Sequence, residues 1–252
     1  MQTNKRRQKI MDLVKETGSV KVTELSEIFK TSEVTIRSDL ADMEKKGLLT
    51  RIHGGAILSY KPYYSMDMTQ RLETNQSEKV EIANKIAEMI EPNDTIMLNS
   101  GTTTLLAFRK FPQDYNLNIV TNSIAIALEA SGNPNYNVVL IGGSLNTKYQ
   151  FSFGADAVAQ LRNYHADKFV LSVDGIDLAN GFTTYYDKEA EVDRVMIEQS
   201  DKCIVAADFS KFSRRAFVKI ADLSVADCIV TNLPADDKVV SELKEAGAKI
   251  VY

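Results

Sequence analysis

The sequence predicts a two-part α/β protein, in which a small helical head with a β-hairpin precedes a larger domain built on a parallel sheet. Within the first 58 of the 252 residues, three amphipathic segments come before two short apolar runs around a glycine pair. Beyond residue 90, apolar runs alternate with segments of helical periodicity, a pattern typical of a parallel sheet covered on both faces. Charge also divides the chain: residues 1–60 hold 11 Lys and Arg against 8 Asp and Glu, whereas the remainder holds 19 against 26.

The head begins with two predicted helices. Ile10, Leu13 and Val14 recur at helical spacing and predict a helix over 4–17. A second, shorter helix within 19–30 is predicted by apolar residues at the same spacing. The low number of residues between the two segments favours a compact arrangement of short helices.

The stretch "TSEVTIRSDL", residues 31–40, predicts a third helix. Ser32 is placed to cap it, because a serine hydroxyl can accept a backbone N–H that the first helical turn leaves unpaired. A buried face is predicted by Ile36, Leu40 and Met43 at i, i+4 and i+7, with Val34 beside them. The runs "LLTRI" and "AIL" then surround a turn of His53 and two glycines, which predicts a β-hairpin.

This order of elements is that of a winged helix-turn-helix, whose third helix lies in the major groove of DNA. Arg37, on the face opposite the apolar stripe, can donate two hydrogen bonds to a guanine edge. Basic residues at the start of the first helix and in the hairpin can contact phosphates, although three small helices and a hairpin also occur in protein–protein modules. The predicted DNA contacts are Arg6, Arg7, Ser32, Glu33, Thr35, Arg37, Ser38, Arg51, His53 and Gly54.

Residues 59–75 lack clear periodicity and contain Pro62, so they are predicted to link the head, 1–58, to a second domain, 76–252. A helix over 77–91 starts that domain. Seven strands and four further helices follow from the alternation of apolar runs with helical segments. The predicted strands lie within 94–100, 117–123, 137–143, 168–175, 202–208, 227–232 and 248–252, and the helices within 102–110, 123–131, 188–200 and 236–246.

Small and polar residues follow several of these strands, and ligands bind at the carboxyl ends of strands in open α/β sheets. The loop that follows the first strand offers backbone N–H groups and hydroxyls, which can hold a phosphate at the start of a helix. Plain helix starts use the same residues, so the loop alone leaves both interpretations open. The predicted effector contacts are Ser100, Gly101, Thr102, Thr103, Thr104, Thr121, Asn122, Ser123, Gly142, Gly143, Asp174, Gly175, Lys188 and Lys211.

Composition excludes several classes of protein. Cys203 and Cys228 lie far apart within apolar runs, which predicts buried free thiols in a reducing compartment. No apolar stretch approaches the roughly 20 residues that a membrane span needs, and the N-terminus lacks the apolar core of a secretory signal. The sequence predicts a cytoplasmic protein with no membrane partner, no metal, no organic cofactor and no catalytic residue.

The head resembles the DNA-binding domain of the DeoR family of bacterial transcriptional regulators across residues 5–56. The motifs "GSVKVTELSEIF", "SEVTIRSDL", "MEKKG" and "RIHGGA" occur in the family's order and spacing. One position departs from the pattern: Ser38 stands where the family commonly has a second arginine. The resemblance implies a winged helix-turn-helix that binds double-stranded operator DNA.

The second domain resembles the sensor domain of the same family through "NSGTTT", "VTNS", "IGG", "VDGID" and "ADFSKF". That resemblance implies a fold similar to ribose-5-phosphate isomerase and a phosphorylated sugar as inducer. Residues 154–181 resemble the amino-sugar regulators within the family. The chain is therefore expected to repress a carbohydrate uptake and catabolism operon as a homo-oligomer, either a dimer or a tetramer, and to leave its operator when the sugar phosphate binds.

The alternative is an enzyme that isomerises a sugar phosphate and carries an accessory DNA-binding domain. Asp174 and Asp177 match the acidic pair of the isomerase motif, but the isomerase's lysine and glycine run are replaced by "YYDKEAEV", in which Lys188 is followed by Glu189. Isomerisation requires a base and an acid held over the substrate carbon. The sequence therefore favours binding without turnover.

Overall fold

The computed structural model describes residues 2–17, 19–45, 48–52, 54–58 and 66–252, with side chains at 5–14, 20–45, 48–51, 54–56 and 66–252. The chain divides into two compact units, Met1–Met66 and Asp67–Tyr252. The first unit has one hydrophobic core and the second unit has two.

The N-terminal unit consists of three helices and a small antiparallel sheet. Its elements are α1 (Gln2–Thr17), β1 (Ser19–Lys21), α2 (Val22–Ile28), α3 (Glu33–Lys45), β2 (Leu49–Ile52) and β3 (Gly55–Leu58). The strands pair in the order β1-β3-β2. Ile10, Leu25, Ile36 and Leu40 form the centre of its core, and burial of each such side chain stabilises the fold by roughly 1.5–3 kcal/mol.

The apolar stripe of α3 consists of the three predicted residues and does not include Val34. Ile36, Leu40 and Met43 are fully buried, as the helical spacing indicates, but Val34 is 75% exposed. Val34 lies two positions before Ile36, which corresponds to about 200° around a helix axis. The side chain therefore emerges on the outer face of α3.

The second unit contains seven helices among its described residues. They are α4 (Met68–Glu73), α5 (Gln76–Ala87), α6 (Thr102–Phe108), α7 (Ile124–Ala130), α8 (Ala155–Leu161), α9 (Asp187–Glu198) and α10 (Lys238–Glu245). Helix α4 falls within the predicted linker. Asp67 caps it, since its side chain accepts the backbone N–H of Gln70 while the Gln70 side chain accepts that of Asp67.

Fifteen β-strands are described in the whole chain, and seven of those in the second unit form one parallel sheet. The sheet strands are β4 (Thr95–Leu98), β5 (Leu117–Thr121), β6 (Tyr136–Leu140), β9 (Ala166–Ser172), β12 (Ser200–Ala206), β14 (Cys228–Val230) and β15 (Ile250–Val251). Their order is β15-β14-β12-β9-β4-β5-β6. All seven pair in parallel, and each overlaps a predicted strand segment, although β6, β9 and β12 begin one or two residues earlier than predicted.

Both faces of this sheet are covered, which explains why its strands are continuously apolar. Ile96 and Leu98 of β4 pack in a core with α5, α6 and α7. Met97, between them, packs in the second core with residues of α8, α9 and α10. The strand order reverses between β4 and β9, so the loops that follow these two strands diverge and leave a crevice at the carboxyl edge.

Five short strands build two small antiparallel sheets beside the main one. Strands β7 (Ser144–Asn146) and β8 (Phe151–Phe153) form a hairpin, and β10 (Gly175–Asp177), β11 (Gly181–Thr184) and β13 (Val218–Ala221) form a three-stranded sheet. The three-stranded sheet follows directly from β9. It therefore brings later parts of the chain to the crevice.

Two further observations concern membrane crossing and the reactivity of the two cysteines. No helix among the described residues is long and apolar enough to cross a membrane. Cys203 and Cys228 are both buried free thiols. Burial raises the pKa of Cys203 to about 12, so its thiol is almost entirely protonated at neutral pH.

Candidate functional site: an outer helix face and a buried charged crevice

The N-terminal half of α3 has the exposed polar face that the sequence predicts. The Ser32 hydroxyl accepts the backbone N–H of Thr35 at 3.3 Å. Arg37 is 61% exposed and donates to the Glu33 carboxylate at 2.7 Å. Ser38 is exposed beside it. Because the Arg37–Glu33 pair is exposed, it is worth little in free energy and can be exchanged for another acceptor.

Val34 belongs to this outer face as well. It lies three residues before Arg37 and four before Ser38, and residues at these spacings are neighbours on a helix surface. An apolar side chain beside an arginine can contact a thymine methyl group next to a guanine. The sequence analysis assigned Val34 neither to the buried residues nor to the DNA contacts, so this candidate contact was missed.

Arg6 and Arg7 are placed differently from the prediction. Arg6 Nε donates to Asp39 Oδ2 at 2.5 Å, and Arg7 Nε donates to Asp39 Oδ1 at 2.7 Å. Arg7 also donates to Asp42. Asp39 is buried on the inner side of α3, and a buried carboxylate requires a cationic partner. These arginines therefore join α1 to α3, and their charge is already balanced by carboxylates.

The hairpin offers one exposed cation and one exposed backbone turn. Arg51 is half-exposed, and its guanidinium donates to Glu44 at 2.8 Å. Gly54 is exposed at φ +80°, in the left-handed region that favours glycine. Its carbonyl accepts the N–H of Val22. His53 lies outside the described residues.

At the crevice of the second unit, the ends of β4 and β9 are joined by Asn99. Its amide donates to the Ser172 carbonyl at 2.9 Å and accepts the Ser172 N–H at 3.1 Å. A Cβ on Gly101 would lie 2.1 Å from the Ser172 Cβ, so only glycine permits this approach. Thr102, Thr103 and Thr104 are buried in the first turn of α6, where Thr104 donates to Asn99.

Carboxylates and hydroxyls from three elements meet beside this junction. The Thr184 hydroxyl lies 3.3 Å from Asp174 and 2.7 Å from Glu189, to which it donates. Ser100 donates to the other Glu189 oxygen at 3.0 Å. The backbone N–H of Tyr185 donates to Asp174 at 3.0 Å. Two predicted residues, Ser100 and Asp174, are thus joined through Thr184 and Glu189, which the sequence did not single out.

Three buried cations surround Asp174: Arg71, Lys211 and Arg214. Burial acts to raise the pKa of Asp174, but these three charges and the Tyr185 N–H outweigh it, so the pKa lies below its ordinary value. Burial lowers the pKa of Lys211 to about 8, although the Asp208 carboxylate opposes the shift. A Cβ on Gly175 would lie 2.5 Å from the Arg214 carbonyl, so glycine here lets the Arg214 segment approach.

Glu189 and a second buried carboxyl group, Asp193, lie one helical turn apart on α9. Burial and the charge of Asp174 raise the pKa of Glu189. Burial and the charge of Glu189 raise the pKa of Asp193 well above its ordinary value. Like charges in a low-dielectric site disfavour joint ionisation. Burial therefore disfavours the charged form of both carboxyl groups beside the three cations around Asp174.

Aromatic rings line one side of this cluster. The Tyr186 hydroxyl donates to the Tyr149 hydroxyl at 2.5 Å, and the Arg71 guanidinium lies 4.4 Å from the centre of the Tyr149 ring. Tyr185 and Phe217 continue the row towards the surface, where Phe217 is 78% exposed. Such rings can contact the apolar faces of a sugar.

The loop after β5 has mainly internal roles. Thr121 donates to the Leu98 carbonyl at 2.7 Å, and the Ser123 hydroxyl caps α7. Asn122 donates to the Ser152 carbonyl at 3.1 Å. Its Oδ1 atom is buried and has no hydrogen-bond partner among the described residues, so this oxygen could accept a further hydrogen bond.

Three predicted effector residues lie apart from the cluster. The Gly142 N–H is already donated to Gln160 at 3.0 Å. Gly143, at φ +141°, packs against the Phe153 carbonyl. Lys188 is half-exposed and lies 3.3 Å from Glu191 on the outer side of α9, because the helix directs the next residue, Glu189, inward instead. These positions are explained by packing and surface pairing.

Asp177, the second acid of the isomerase-like motif, also has an internal role. Its Oδ1 accepts the backbone N–H groups of Ala179 and Asn180 at the turn between β10 and β11. A carboxylate held in this way is unsuited to act as a base. Among the described residues, no His, Cys, Asp or Glu side chains form a group of three that could hold a metal ion.

Comparison with protein families accounts for both regions. Residues 6–61 match the DeoR-like helix-turn-helix domain, and residues 74–233 match the DeoR C terminal sensor domain. The chain belongs to the DeoR family. It is a DNA-binding transcriptional regulator and not an enzyme.

Relatives of this family match nearly the whole chain. YulB, an uncharacterised transcriptional regulator of Bacillus subtilis (strain 168), is 36% identical over 97% of this chain and 95% of its own. A protein of Escherichia coli O157:H7, provisionally named an aga operon transcriptional repressor, is 35% identical over 99% of this chain and 93% of its own. The glycerol-3-phosphate regulon repressor of Escherichia coli (strain K12) is 31% identical over 97% of each chain.

Among solved structures, ribose 5-phosphate isomerase A from Methanocaldococcus jannaschii resembles the chain distantly. The likeness covers 55% of each chain with a TM-score of 0.42 and 14% identity. This likeness concerns only the arrangement of helices and strands and supports no statement about the chemistry of the crevice.

The sequence missed the residues that complete the buried cluster. Arg71 lies in the segment predicted as linker, and Arg214 follows Lys211 by three residues in "SKFSRR". Glu189 and Asp193 are spaced four apart in "KEAEVDR", which places them on one helix face. That spacing, combined with the apolar residues Ala190 and Val192 between them, was the available signal that two acids face inward.

Proposed function

We propose that this DeoR-family regulator represses a carbohydrate uptake and catabolism operon and leaves its operator when a phosphorylated sugar binds to the second unit. The observation that carries the proposal is the group of buried cations around Asp174 at the carboxyl edge of the sheet. Buried positive charge favours an anionic ligand strongly, because water cannot screen the interaction. Two of the relatives are named for the aga operon and the glycerol-3-phosphate regulon.

The parts of the ligand correspond to different groups in the crevice. Lys211, Arg71 and Arg214 would hold the phosphate, with help from the loop at Ser100 to Thr104. Asp174 and Glu189 would accept hydrogen bonds from sugar hydroxyls or from an amino group. The rings of Tyr149 and Tyr186 provide an apolar wall. Of the predicted effector contacts, Ser100, Asp174, Gly175 and Lys211 retain the best support, because they meet at this cluster.

The outer face of α3 would read the operator. Arg37 can exchange Glu33 for a guanine edge, with about 1–3 kcal/mol of discrimination between bases. Thr35 and Ser38 would reach phosphates or thymine methyl groups, and Arg51 and Gly54 would contact the backbone from the hairpin. Two or more heads of a homo-oligomer would then occupy half-sites about one helical turn or a multiple apart.

Release follows from linkage between the two binding events. A ligand shifts an equilibrium between two states only by its differential affinity for them. The phosphorylated sugar must therefore bind the operator-free state more tightly than the operator-bound state. Repression itself would result from the operator-bound oligomer blocking RNA polymerase.

A ligand panel in the presence and absence of DNA tests the proposal. Full-length protein is mixed with a labelled fragment of its own upstream DNA, and sugars are added in pairs of phosphorylated and free forms. We expect one or more phosphorylated members to raise the melting temperature and to lower operator affinity, while their free counterparts do neither. Operator affinity should also fall steeply as salt rises, because phosphate contacts release counterions.

Two test variants and one matched control address the two binding sites separately. Lys211→Met should abolish the response to the phosphorylated sugar, whereas Lys238→Met, at an exposed lysine of α10, should leave it unchanged. Arg37→Ala should remove sequence preference from the DNA footprint. Equal responses to free and phosphorylated sugars would contradict the sensor role, and conversion of a sugar phosphate at an enzymatic rate would favour the isomerase instead.

A further inference from the structure

Helix α4 connects the buried crevice to the chain that enters from the N-terminal unit. It begins at Met68, two residues after the boundary between the units, and its first turn is fixed by the capping box of Asp67 and Gln70. Met68 is buried in the core of the second unit. The helix is therefore the first element of this unit, and whatever moves it also moves the end of the connecting chain.

Arg71 directs its side chain from α4 into the crevice. Its side chain is 11% exposed, its guanidinium stacks on Tyr149, and its Nη1 lies 3.7 Å from Asp174 Oδ1. Charge-assisted hydrogen bonds between a guanidinium and a carboxylate are usually 2.7–2.9 Å long. The Arg71–Asp174 contact is thus an ionic attraction longer than hydrogen-bond length.

The main chain around Arg71 is tied to the same region. The ammonium of Lys79, which is 1% exposed, donates to the carbonyls of Arg71 and Thr74 at 2.5 and 2.6 Å. Asn75, two residues after the end of α4, donates to Asp208 at 3.1 Å. Asp208 in turn lies beside Lys211. The C-terminal end of α4 is therefore bonded to the charged cluster through both its backbone and Asn75.

We propose that Arg71 is a direct ligand of the effector's anionic group and that, through this contact, effector binding sets the position of α4. The inference rests on the proposed function, since it assumes that an anionic effector enters the crevice. A planar guanidinium can bind two phosphate oxygens at once. Such binding would draw Arg71 away from Asp174 and pull on α4, whose far end carries the connection to the DNA-binding unit.

The test compares three variants of the full-length protein with the wild type. Arg71→Met removes the charge and keeps most of the side-chain length, and Arg71→Lys keeps the charge but loses the fork. Arg162→Met is the matched control, because Arg162 is an exposed arginine paired with Glu198. The probes are inorganic phosphate, glycerol 3-phosphate, and galactosamine and glucosamine 6-phosphates, with the free sugars beside them.

Affinity is measured by calorimetry without DNA, and operator binding is measured separately with and without each probe. We expect Arg71→Met to bind the phosphorylated probe about 10- to 100-fold more weakly, the range expected for loss of a charge-assisted bond. Operator affinity without effector is measured for each variant, and release by the probe is expressed relative to that variant's own effector-free affinity. Arg71→Lys should recover part of the affinity but less of the release, and Arg162→Met should match the wild type.

Hydrogen exchange gives a readout that does not depend on affinity. At saturating probe, amides of 68–73 should change their exchange rate in the wild type and change less in Arg71→Met. If Arg71→Met binds and is released like the wild type, or if exchange in 68–73 is indifferent to the probe, Arg71 is a structural residue and the inference is wrong. If the wild type binds no phosphorylated probe, the proposed function fails instead, and the inference fails with it.

Discussion

The outer face of α3 and the crevice of the second unit both pair an arginine with an acid, but in opposite surroundings. Arg37 and Glu33 are 2.7 Å apart, with side chains 61% and 42% exposed. Arg71 and Asp174 are 3.7 Å apart, with side chains 11% and 8% exposed. Water screens the attraction between Arg37 and Glu33. Arg71 and Asp174 lie in a medium of lower dielectric constant, where the attraction between charges falls off less with distance.

This difference shows that burial determines the role of a charge here more than distance does. The surface pair can open at little cost, which suits a helix that exchanges an internal partner for a DNA base. The buried pair lowers the pKa of Asp174 and shares its field with Lys211. The head is thus suited to salt-dependent binding, whereas the crevice is suited to pH-dependent binding of a small anion.

The largest expected effect concerns Asp39. Its carboxylate is buried and paired with arginines, as the Asp174 carboxylate is in the crevice. Asp39→Ala removes the buried carboxylate that holds Arg6 and Arg7 against α3. Loss of a partner from a buried pair costs about 3–5 kcal/mol, and the partial exposure of both arginines reduces this to about 2 kcal/mol. Hydrogen exchange of α1 in the full-length protein measures the change.

Glu33→Ala is the matched control, because it removes an exposed carboxylate from the same helix. Its cost should stay below about 0.5 kcal/mol. If Asp39→Ala were as stable as Glu33→Ala, the arginines of α1 would not depend on the carboxylate, and their predicted role at DNA phosphates would regain support.

The second effect concerns Lys211, whose pKa of about 8 makes the crevice sensitive to pH. An anion bound beside it favours the protonated form and raises this pKa, so a proton is taken up on binding above pH 8. Affinity for the phosphorylated sugar should then fall up to about tenfold per pH unit above pH 8. Calorimetry in buffers of different ionisation enthalpy measures the proton uptake.

The stability of the protein should respond to Lys211 with the opposite sign. Between pH 8 and about 10.5 the unfolded chain holds more protons on this lysine than the folded chain does, so this group makes folding more favourable as pH rises. Burial, Arg214 and Arg71 lower its pKa, and Asp208 and Asp174 oppose them. Lys211→Met should lose both dependences, and a variant that kept them would assign the titration to another group.

The smallest effect concerns Val34 and sharpens the description of the outer face. If Val34 contacts a thymine methyl group, deoxyuridine at that position of the operator should weaken binding about fourfold, as expected for about 0.8 kcal/mol of lost apolar contact. Val34→Ser should bind both operators equally. Ile28→Ser, at an exposed apolar residue of α2, should keep the discrimination, and a loss there would indicate a general effect of surface polarity.

Most of the framework of the fold could be predicted from periodicity. Each of the seven apolar runs overlaps a strand of the main sheet, because buried parallel strands are continuously apolar and their helices are amphipathic. The small elements could not be predicted in this way. Helix α4 lies in a segment without clear periodicity, and β10, β11 and β13 form a separate antiparallel sheet that takes no part in the alternation of parallel strands with helices.

The candidate site was predictable in part for a related reason. Asp174 and Lys211 follow strands, so the carboxyl-edge rule finds them. Arg71 lies on a helix in a segment without a period, and its contact with Asp174 depends on long-range packing. Arg6 and Arg7 were assigned to DNA because the sequence shows only their charge. Asp39 directly precedes Leu40 of the buried stripe, and this position was the available signal that an acid on α3 could need an internal cationic partner.

The two buried thiols have a practical consequence for measuring how the heads are arranged. With a pKa of about 12 for Cys203, roughly one molecule in 10⁵ carries its thiolate at pH 7, and the Cys228 pKa is also raised by burial. Maleimide reagents would therefore modify both native cysteines slowly. A Ser38→Cys variant could be labelled selectively without removing either of them, and spectroscopic rulers on this label would test whether two copies of α3 come together and whether operator release changes their spacing.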